Sequence, residues 1–234
     1  MSKSNEVRLS VYLGDTTAGE KVYLDFNKYP HLIAVGNTGS GKSEALHRII
    51  EELSKNCSPE RAKFILIDPK MIELDLWAGL PHLLTPVNKG VKAGRVAIES
   101  AYQLMQERIA GRAGKDAPLF IFIDEVVDLV LGDGKEKTID EVNAILEGGA
   151  AVNIRLIAAT QAPWNVFYEG GVNLEAFSYR LIGRMWDKRD SKRYLGNEDA
   201  TKLEGFRGEM ILATPTEQTL VHVQRAEIWE KKIN

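Results

Sequence analysis

A glycine-rich loop that ends in lysine and serine carries the most specific chemistry in this chain. Residues 36–43 read Gly-Asn-Thr-Gly-Ser-Gly-Lys-Ser and directly follow the apolar run His31–Val35. This is the G-x-x-x-x-G-K-[ST] pattern of a phosphate loop, in which glycines let backbone N–H groups turn towards a phosphate. We expect Lys42 to contact the β- and γ-phosphates of a nucleotide and the Ser43 hydroxyl to bind Mg²⁺.

The elements around this phosphate loop favour that interpretation over an ordinary glycine-rich turn. Apolar residues recur after Lys42 with helical spacing and define one face of a helix reaching about Lys55: Leu46, Ile49, Ile50 and Leu53. The loop therefore joins a strand to a helix whose positive N-terminal end favours an anion. The predicted nucleotide-binding residues are Gly36, Asn37, Thr38, Gly39, Ser40, Gly41, Lys42, Ser43 and Glu44.

Polar side chains at the ends of two later strands would complete a hydrolytic site. The apolar run Leu119–Ile123 is followed by Asp124 and Glu125. An acid at such a strand end is the usual partner of a phosphate loop, so Asp124 is expected to hold Mg²⁺ through water and Glu125 to polarise the attacking water as a general base. Gln161 follows another apolar strand and would sense the γ-phosphate, unless it is an ordinary loop residue.

The composition suits one α/β domain and excludes several classes of protein. The chain has 234 residues, of which 44% are hydrophobic and 27% charged, and no apolar run reaches the length of a membrane span. Its single cysteine, Cys57, rules out an internal disulfide framework and fits a reducing cytoplasm. The four histidines lack metal-ligand spacing. With a net charge of −3, any nucleic-acid surface must be a local patch.

Strands and helices alternate along the chain, which predicts a three-layer fold with a mainly parallel sheet. We expect one domain over residues 1–234, with an N-terminal β-hairpin at 6–27 lying against the sheet of a core at 28–234. Apolar runs predict parallel strands at 31–35, 64–67, 119–123, 154–159 and 179–185. Helices are expected at 42–55, 93–111 and around 139–146, and an antiparallel pair at 209–212 and 220–223.

Longer stretches of sequence resemble the motor domain of the FtsK/SpoIIIE family of DNA translocases, within the HerA/FtsK group of RecA-like ATPases. The resemblance runs from about Leu13 to Leu212. It is carried by residues 29–43, 67–74, 79–87, 123–129 and 159–163. Asp68-Pro69-Lys70 and the Pro-His-Leu-Leu-Thr sequence at 81–85 are more specific to the family than the phosphate loop itself. Residue types alone do not explain why those two stretches are there.

The resemblance implies a RecA-like P-loop ATPase that uses ATP and Mg²⁺ and forms a ring, most commonly a hexamer, on double-stranded DNA without strong sequence preference. It also implies an arginine finger supplied to the neighbouring subunit, which is Arg180 here, with Arg184 as the alternative. The segment 188–193 resembles the family's basic stretch. Three of its residues would contact DNA in a central pore, although a solvated charged loop is the simpler interpretation: Lys188, Lys192 and Arg193.

Departures from the family pattern leave the biological role open. The chain has no room for the membrane helices, linker and winged-helix module of the division and sporulation proteins, and Ala150 and Ala162 stand where basic residues are common. It therefore resembles a minimal motor of a virus or mobile element, serving DNA packaging, transfer or replication. The alternatives are a protein-secretion ATPase and an ATP-hydrolysing assembly factor that does not translocate, and DNA-stimulated ATPase activity would separate the first interpretation from these two.

Overall fold

The computed structural model describes residues 9–161, 171–204 and 208–228. Its strands are β1 Ser10–Asp15, β2 Lys21–Asp25, β3 Leu32–Val35, β4 Lys63–Asp68, β5 Asn88–Lys89, β6 Leu119–Ile123, β7 Ile154–Thr160, β8 Tyr179–Ile182, β9 Glu209–Ala213 and β10 Gln218–Val223. Its helices are α1 Lys42–Asn56, α2 Gly90–Ile109, α3 Val126–Leu129, α4 Lys135–Gly148 and α5 Lys188–Leu195. Short 3-10 helices lie at Leu74–Trp77, Gly149–Val152, Leu174–Ala176 and Asp199–Thr201.

All ten of these strands form one sheet in the order β2-β1-β10-β9-β8-β3-β7-β6-β4-β5. The six strands from β8 to β5 run parallel, whereas β9, β10, β1 and β2 pair antiparallel. Parallel strands that are buried on both faces explain the continuous apolar runs of β3 and β6. The predicted α/β class with a mainly parallel sheet is confirmed.

Helices cover both faces of the sheet, because its central strands are apolar on both sides. On one face, Leu46 and Ile49 of α1 pack with Leu32 and Ala34 of β3. The other face of the same strand, through Ile33 and Val35, belongs to a second apolar cluster that includes α2 and α4. The three layers expected from the alternating pattern are therefore present, and α1 packs against β3, the strand that precedes it.

The N-terminal hairpin extends the sheet instead of lying against it. β1 pairs with β2 on one side and with β10 on the other, where Gly14 is opposite Val223. The prediction located the hairpin but placed it wrongly, because alternating polarity identifies a half-buried strand without identifying its partner. The predicted hairpin residues before Leu9 lie outside the described residues.

The charged segment after β8 is a helix, not the loop of the simpler interpretation. α5 begins after Asp187, whose side chain accepts a hydrogen bond from the Arg189 N–H, and ends at Gly196 with φ of 80°. Ser191, Tyr194 and Leu195 are its buried residues, at helical spacing on the side that faces the core. The preceding strand, β8, ends at Ile182 and not at the predicted residue 185.

No helix among the described residues is long and apolar enough to cross a membrane.

Candidate active site

The strand order brings the predicted nucleotide residues to one edge of the sheet. β3, β7 and β6 are neighbours and run parallel, so their carboxyl ends lie side by side. The phosphate loop follows β3, the acids follow β6 and Gln161 follows β7. Together they surround a cavity of about 360 Å³, lined by Thr38, Gly39, Gly41, Lys42, Ser43, Lys70, Ile72, Glu73, Asp124, Glu125, Ala159, Thr160 and Gln161.

Close backbone approach requires glycine at two positions of the phosphate loop. Gly41, which precedes α1, has φ of 99°, and a Cβ there would lie 2.7 Å from the Cα of Gly208. A Cβ at Gly36, with φ of 155°, would lie 2.6 Å from the Ser40 Oγ. The positive φ disfavours a side chain at both positions, and at Gly41 the neighbouring backbone also leaves no room for one. Such a backbone suits a loop that wraps around an anion.

The ammonium group of Lys42 is held by the loop that it belongs to. Its Nζ donates hydrogen bonds to the carbonyl oxygens of Gly36 at 2.8 Å and Asn37 at 2.9 Å. Burial lowers the pKa of Lys42 to about 8, although the nearby carboxylates of Glu125 and Asp124 act in the opposite direction. A bound phosphate would stabilise the charged form of this lysine, since an anion offsets the cost of desolvation.

The environment of Asp124 fits a cation. Burial raises the pKa of its carboxyl to about 7, and the negative charges of Asp68, Glu73 and Glu125 raise it further against the opposing effect of Lys70. Among residues 9–161, 171–204 and 208–228, no three metal-binding side chains converge into an all-protein cage. Mg²⁺ commonly takes one or two carboxylates together with phosphate oxygens, so Asp124 and the Ser43 hydroxyl are the groups that would hold it.

Glu125 is almost fully buried and firmly oriented. Its Oε1 accepts a hydrogen bond of 2.5 Å from the Thr160 hydroxyl, and the backbone N–H of Gln161 lies 3.2 Å from both carboxylate oxygens. Its Oε2 forms an ion pair of 3.1 Å with the Lys70 Nζ. A carboxylate oriented in this way beside the phosphate loop can act as a base towards water in the same cavity only when one of its oxygens is released.

Within the Asp-Pro-Lys stretch at the end of β4, Asp68 has a structural role. The Asp68 side chain is fully buried, and its Oδ2 accepts 2.9 Å hydrogen bonds from the N–H groups of Glu73 and Leu74. This tightens the turn after β4 and places Lys70 beside Glu125, which follows the neighbouring strand β6. Sequence reasoning missed Lys70 and Thr160. Their contacts with Glu125 arise because β4, β6 and β7 lie next to one another in the sheet, and no local pattern in the sequence indicates that order.

The second family-specific stretch, residues 81–85, packs near the start of β4 and does not line the cavity. The imidazole of His82 is within hydrogen-bonding distance of the Cys57 carbonyl oxygen, at 2.8 Å, and stacks on Phe64 with ring centroids 5.0 Å apart. The chain here also pairs with β4, through a bridge between Phe64 and Leu83. Its contacts therefore fix the position of β4, which carries Asp68 and leads to Lys70.

Two other predicted binding residues have protein partners. The Thr38 hydroxyl donates a 2.7 Å hydrogen bond to the Gln161 side chain, which joins the phosphate loop to the end of β7. Gln161 also lines a neighbouring cavity of about 590 Å³ together with Asn37. The Glu44 carboxylate accepts a 2.6 Å hydrogen bond from the Ala226 N–H, so it holds the segment that follows β10. Ala162, next to Gln161, lies outside the described residues.

Neither candidate arginine finger lines the cavity that contains Lys42. Arg180 forms an ion pair of 3.2 Å with Glu175 and lines a different cavity, beside α5. Arg184 donates a 2.9 Å hydrogen bond to the Glu204 carbonyl, and its guanidinium lies 4.3 Å from the ring centre of Trp186. Any action of either arginine on a nucleotide would therefore be on that of another subunit, or would require the side chain to move.

The three candidate DNA-binding cations of α5 differ in their surroundings. The ammonium groups of Lys188 and Lys192 both lie on the carboxylate of Glu198, at 2.7 Å and 2.9 Å. These two contacts hold the pKa of Glu198 at about 2. Arg193 lines both the cavity beside the phosphate loop and the one that contains Arg180. The structure thus places Arg193 between the two, with Lys188 and Lys192 already partnered.

Comparison with known sequences gives a consistent family. The FtsK/SpoIIIE family model matches residues 2–113. Proteins called DNA translocase FtsK are 36% identical in Leptospira interrogans, 33% in Helicobacter pylori and 29% in Staphylococcus epidermidis. These alignments cover 96–98% of this chain but only 26–32% of each relative. The chain thus spans about a quarter to a third of the length of the FtsK proteins that it matches.

Solved structures with the same fold include several ATPases. The cytoplasmic domain of the type VII secretion ATPase EccC of Thermomonospora curvata has a TM-score of 0.79 at 23% identity, over 96% of this chain and 29% of that one. The pCW3 conjugation coupling protein TcpA has a TM-score of 0.74 at 18% identity, over 98% and 72%. At these identities the likeness concerns the fold alone. The chain is therefore similar to DNA translocases of the FtsK/SpoIIIE family over nearly its whole length, and it has the fold of a RecA-like P-loop ATPase domain.

Proposed function

We propose that this chain is the ATP-hydrolysing motor of a double-stranded DNA translocase. The observation that carries the proposal is the single cavity at the ends of β3, β6 and β7, which brings together Lys42, Ser43, Asp124 and Glu125. Similarity to the FtsK/SpoIIIE family supports the choice of DNA as the partner, because the FtsK relatives are named DNA translocases. The continuous sheet is consistent with one domain over residues 1–234.

In this proposal the residues of the cavity divide the work. The glycines and N–H groups of the phosphate loop bind the phosphates, and Lys42 neutralises charge on the β- and γ-phosphates. Ser43 and Asp124 would hold Mg²⁺, which would neutralise negative charge on the phosphates. Glu125 orients the attacking water and accepts its proton, while Gln161 and Thr38 report whether a γ-phosphate is present.

The proposed active form is a closed homo-oligomeric ring, most simply a hexamer. Head-to-tail interfaces that close produce a ring, and they place a surface of one subunit against the site of the next. Arg180 has 21% of its side chain exposed and lies away from the Lys42 cavity, which supports an action on the neighbouring subunit's nucleotide. A guanidinium is suited to this role because it spreads positive charge over a plane that matches phosphate oxygens.

The proposed DNA contact is electrostatic and follows the phosphate backbone. Arg193 is the strongest of the three α5 candidates, since Lys188 and Lys192 share the Glu198 carboxylate. A ring would repeat this cation around its axis and make contacts that do not depend on base sequence. We further propose that the motor works in the cytoplasm, for a virus or mobile element, in DNA packaging, transfer or replication.

DNA-stimulated ATPase activity tests the proposal directly. We expect hydrolysis of ATP with Mg²⁺ to rise several-fold on addition of linear duplex DNA, with little difference between sequences of unlike base composition. Lys42→Ala should remove both the basal and the stimulated rate. Hydrolysis that duplex DNA leaves unchanged would favour an ATPase that does not translocate, and an absence of hydrolysis would contradict the whole assignment.

A further inference from the structure

Lys70 is the one cation of the active-site cavity that the functions above leave without a role. It follows β4 and forms an ion pair of 3.1 Å with Glu125. The Lys70 side chain is 38% exposed, whereas the Glu125 side chain is 5% exposed. The lysine therefore approaches the buried carboxylate from the open side, where a nucleotide would enter.

The ion pair occupies the group that is proposed to act as the base. Oε1 of Glu125 already accepts from Thr160, and the N–H of Gln161 lies between the two oxygens. The Lys70 ammonium donates a hydrogen bond to Oε2, the other carboxylate oxygen. With both oxygens engaged, the carboxylate is poorly placed to receive a proton from water. Release of Lys70 alone would free one oxygen without disturbing the bonds that orient the side chain.

The backbone beneath Lys70 is fixed, so that a change of partner would involve only its side chain. Asp68 accepts hydrogen bonds from the N–H groups of Glu73 and Leu74, and Met71 sits in the left-handed region with φ of 59°. A non-glycine residue keeps such a conformation only where its surroundings impose it. The four-carbon stem of a lysine is flexible and lets its ammonium reach different partners from one anchored Cα.

Lys70 and Lys42 line the same cavity, together with Asp124. A triphosphate placed there brings more negative charge than the single carboxylate of Glu125, and it brings that charge close to Lys70. A diphosphate lacks the terminal group. The competition between phosphate and Glu125 for the Lys70 ammonium therefore depends on which nucleotide is bound.

We propose that Lys70 is a nucleotide-sensing cation that leaves Glu125 for the terminal phosphate when a nucleoside triphosphate binds. The ion pair keeps the base engaged when no triphosphate is present. Transfer of the ammonium both binds the γ-phosphate and frees Oε2 for the attacking water. This inference rests on the proposed ATPase function and adds to it a positioning residue that couples occupancy of the site to activation of the base.

The decisive measurement compares two nucleotides. Affinities for ADP and for the non-hydrolysable ATP analogue AMP-PNP, both with Mg²⁺, would be measured by calorimetry for the wild type, Lys70→Met, Lys70→Arg and the control Lys63→Met. Lys63 is at the opposite end of β4 and does not line the cavity. We expect Lys70→Met to lose about tenfold in affinity for AMP-PNP, the size of one charge-assisted hydrogen bond, with the ADP affinity unchanged. Lys70→Arg should retain most of the difference between nucleotides.

Acetylation of the wild-type protein gives a readout that does not depend on the folding of a variant. Lys70 should be modified in the absence of nucleotide, protected strongly by AMP-PNP and much less by ADP, whereas Lys63 should respond to neither. Equal effects on the two nucleotides, in affinity or in protection, would overturn the inference and leave the ATPase proposal standing. Failure of the wild type to bind either nucleotide would instead contradict the proposed function itself.

Discussion

The Nζ of Lys42 lies 2.8 Å from the carbonyl oxygen of Gly36, six residues earlier in the same loop. The lysine that would neutralise a nucleotide's phosphates is thus bonded to the backbone that would surround them. Phosphate binding exchanges these carbonyl contacts for a stronger, fully charged partner. Lys42 therefore helps to shape the loop as well as to bind the anion.

Lys42→Ala should abolish ATP hydrolysis and weaken nucleotide binding with the fold retained. Loss of a group that stabilises transition-state charge commonly costs about a hundredfold or more in rate. Steady-state ATPase assays, nucleotide titrations and circular dichroism would measure the three properties, with Lys63→Ala as the control. A folded Lys42→Ala protein that hydrolyses ATP at the full rate would show that residues 36–43 are not a catalytic phosphate loop.

Glu125→Gln should bind ATP with Mg²⁺ normally and barely turn it over. The amide keeps an oxygen that can accept from Thr160 and from the Gln161 N–H, so the site should keep its shape while it loses basicity. Nucleotide affinity and single-turnover rate would be compared with those of the wild type. Equal losses in both would indicate that Glu125 holds the structure or the metal instead of acting as a base.

A mixture of two inactive variants should show whether Arg180 acts on the nucleotide of a neighbouring subunit or on that of its own subunit. Arg180→Ala and Lys42→Ala proteins are each expected to be inactive, but a mixture creates some interfaces with an intact phosphate loop and an intact arginine. Partial ATPase activity should therefore return at intermediate ratios. If mixtures stay inactive while wild-type subunits exchange freely, Arg180 has no trans role, and the same experiment with Arg184→Ala becomes the next test.

DNA affinity should fall steeply with salt, and α5 should carry part of that dependence. For duplex DNA the slope of log affinity against log salt is about −0.9 for each phosphate contact. Arg193→Ala should make the slope shallower and reduce DNA stimulation with the basal ATPase intact. Lys192→Ala should do less, because Glu198 already holds that lysine. Lys115→Ala, outside α5, is the matched control, and a slope unchanged in an Arg193→Ala, Lys192→Ala double variant would place the DNA contact elsewhere.

His31 should make stability depend on pH. Burial, together with the charge of Arg155, lowers the pKa of this imidazole from its ordinary 6.5 to about 4. The unfolded chain therefore binds the proton first, so the contribution is complete above pH 6.5 and is lost as pH falls towards 4. Between pH 7 and pH 5 this amounts to roughly 2 kcal/mol. Chemical denaturation of the wild type and His31→Gln at both values would measure it.

Asp124 contributes with the opposite sign in the same range. Its pKa is raised in the folded state to about 7, so its contribution is complete at low pH and is lost as pH rises through that value. The wild-type profile contains both contributions, and the difference between the wild type and His31→Gln isolates the histidine. A difference that does not change between pH 7 and pH 5 would contradict the assignment of a buried, neutral His31.

The fold could be predicted from the sequence wherever a local pattern decides the structure. The apolar runs at 119–123 and 154–159 became β6 and β7, and the helical face after Lys42 became α1. α5 escaped prediction because its buried face is only Ser191, Tyr194 and Leu195 among charged neighbours. Such a short face gives little hydrophobic periodicity, and the charges are what a solvated loop would also show.

The candidate site was predictable in its motifs but not in its cross-strand contacts. The phosphate loop and the pair Asp124 and Glu125 each follow one strand, so their sequence context alone indicates the chemistry. The contact of Lys70 with Glu125 joins residues 55 positions apart and depends on β4 lying next to β6. Sheet order is a property of the whole chain, and no local pattern encodes it.

The pairing of β1 with β10 has a consequence for how the chain folds. Gly14 and Val223 are paired although about 200 residues separate them in the chain. A Cβ at Gly14 would lie 2.0 Å from the His222 carbonyl oxygen, so β1 can pair with β10 only if residue 14 is glycine. During synthesis the edge of β1 that faces away from β2 stays unpaired until β10 has left the ribosome. Closure of so long a loop is slow, because chain entropy must be lost before the contact forms. The pairing of β1 with β10 is therefore expected to be a late step in folding. A chain that stops before β10 would leave the edge of β1 unpaired and open to other proteins.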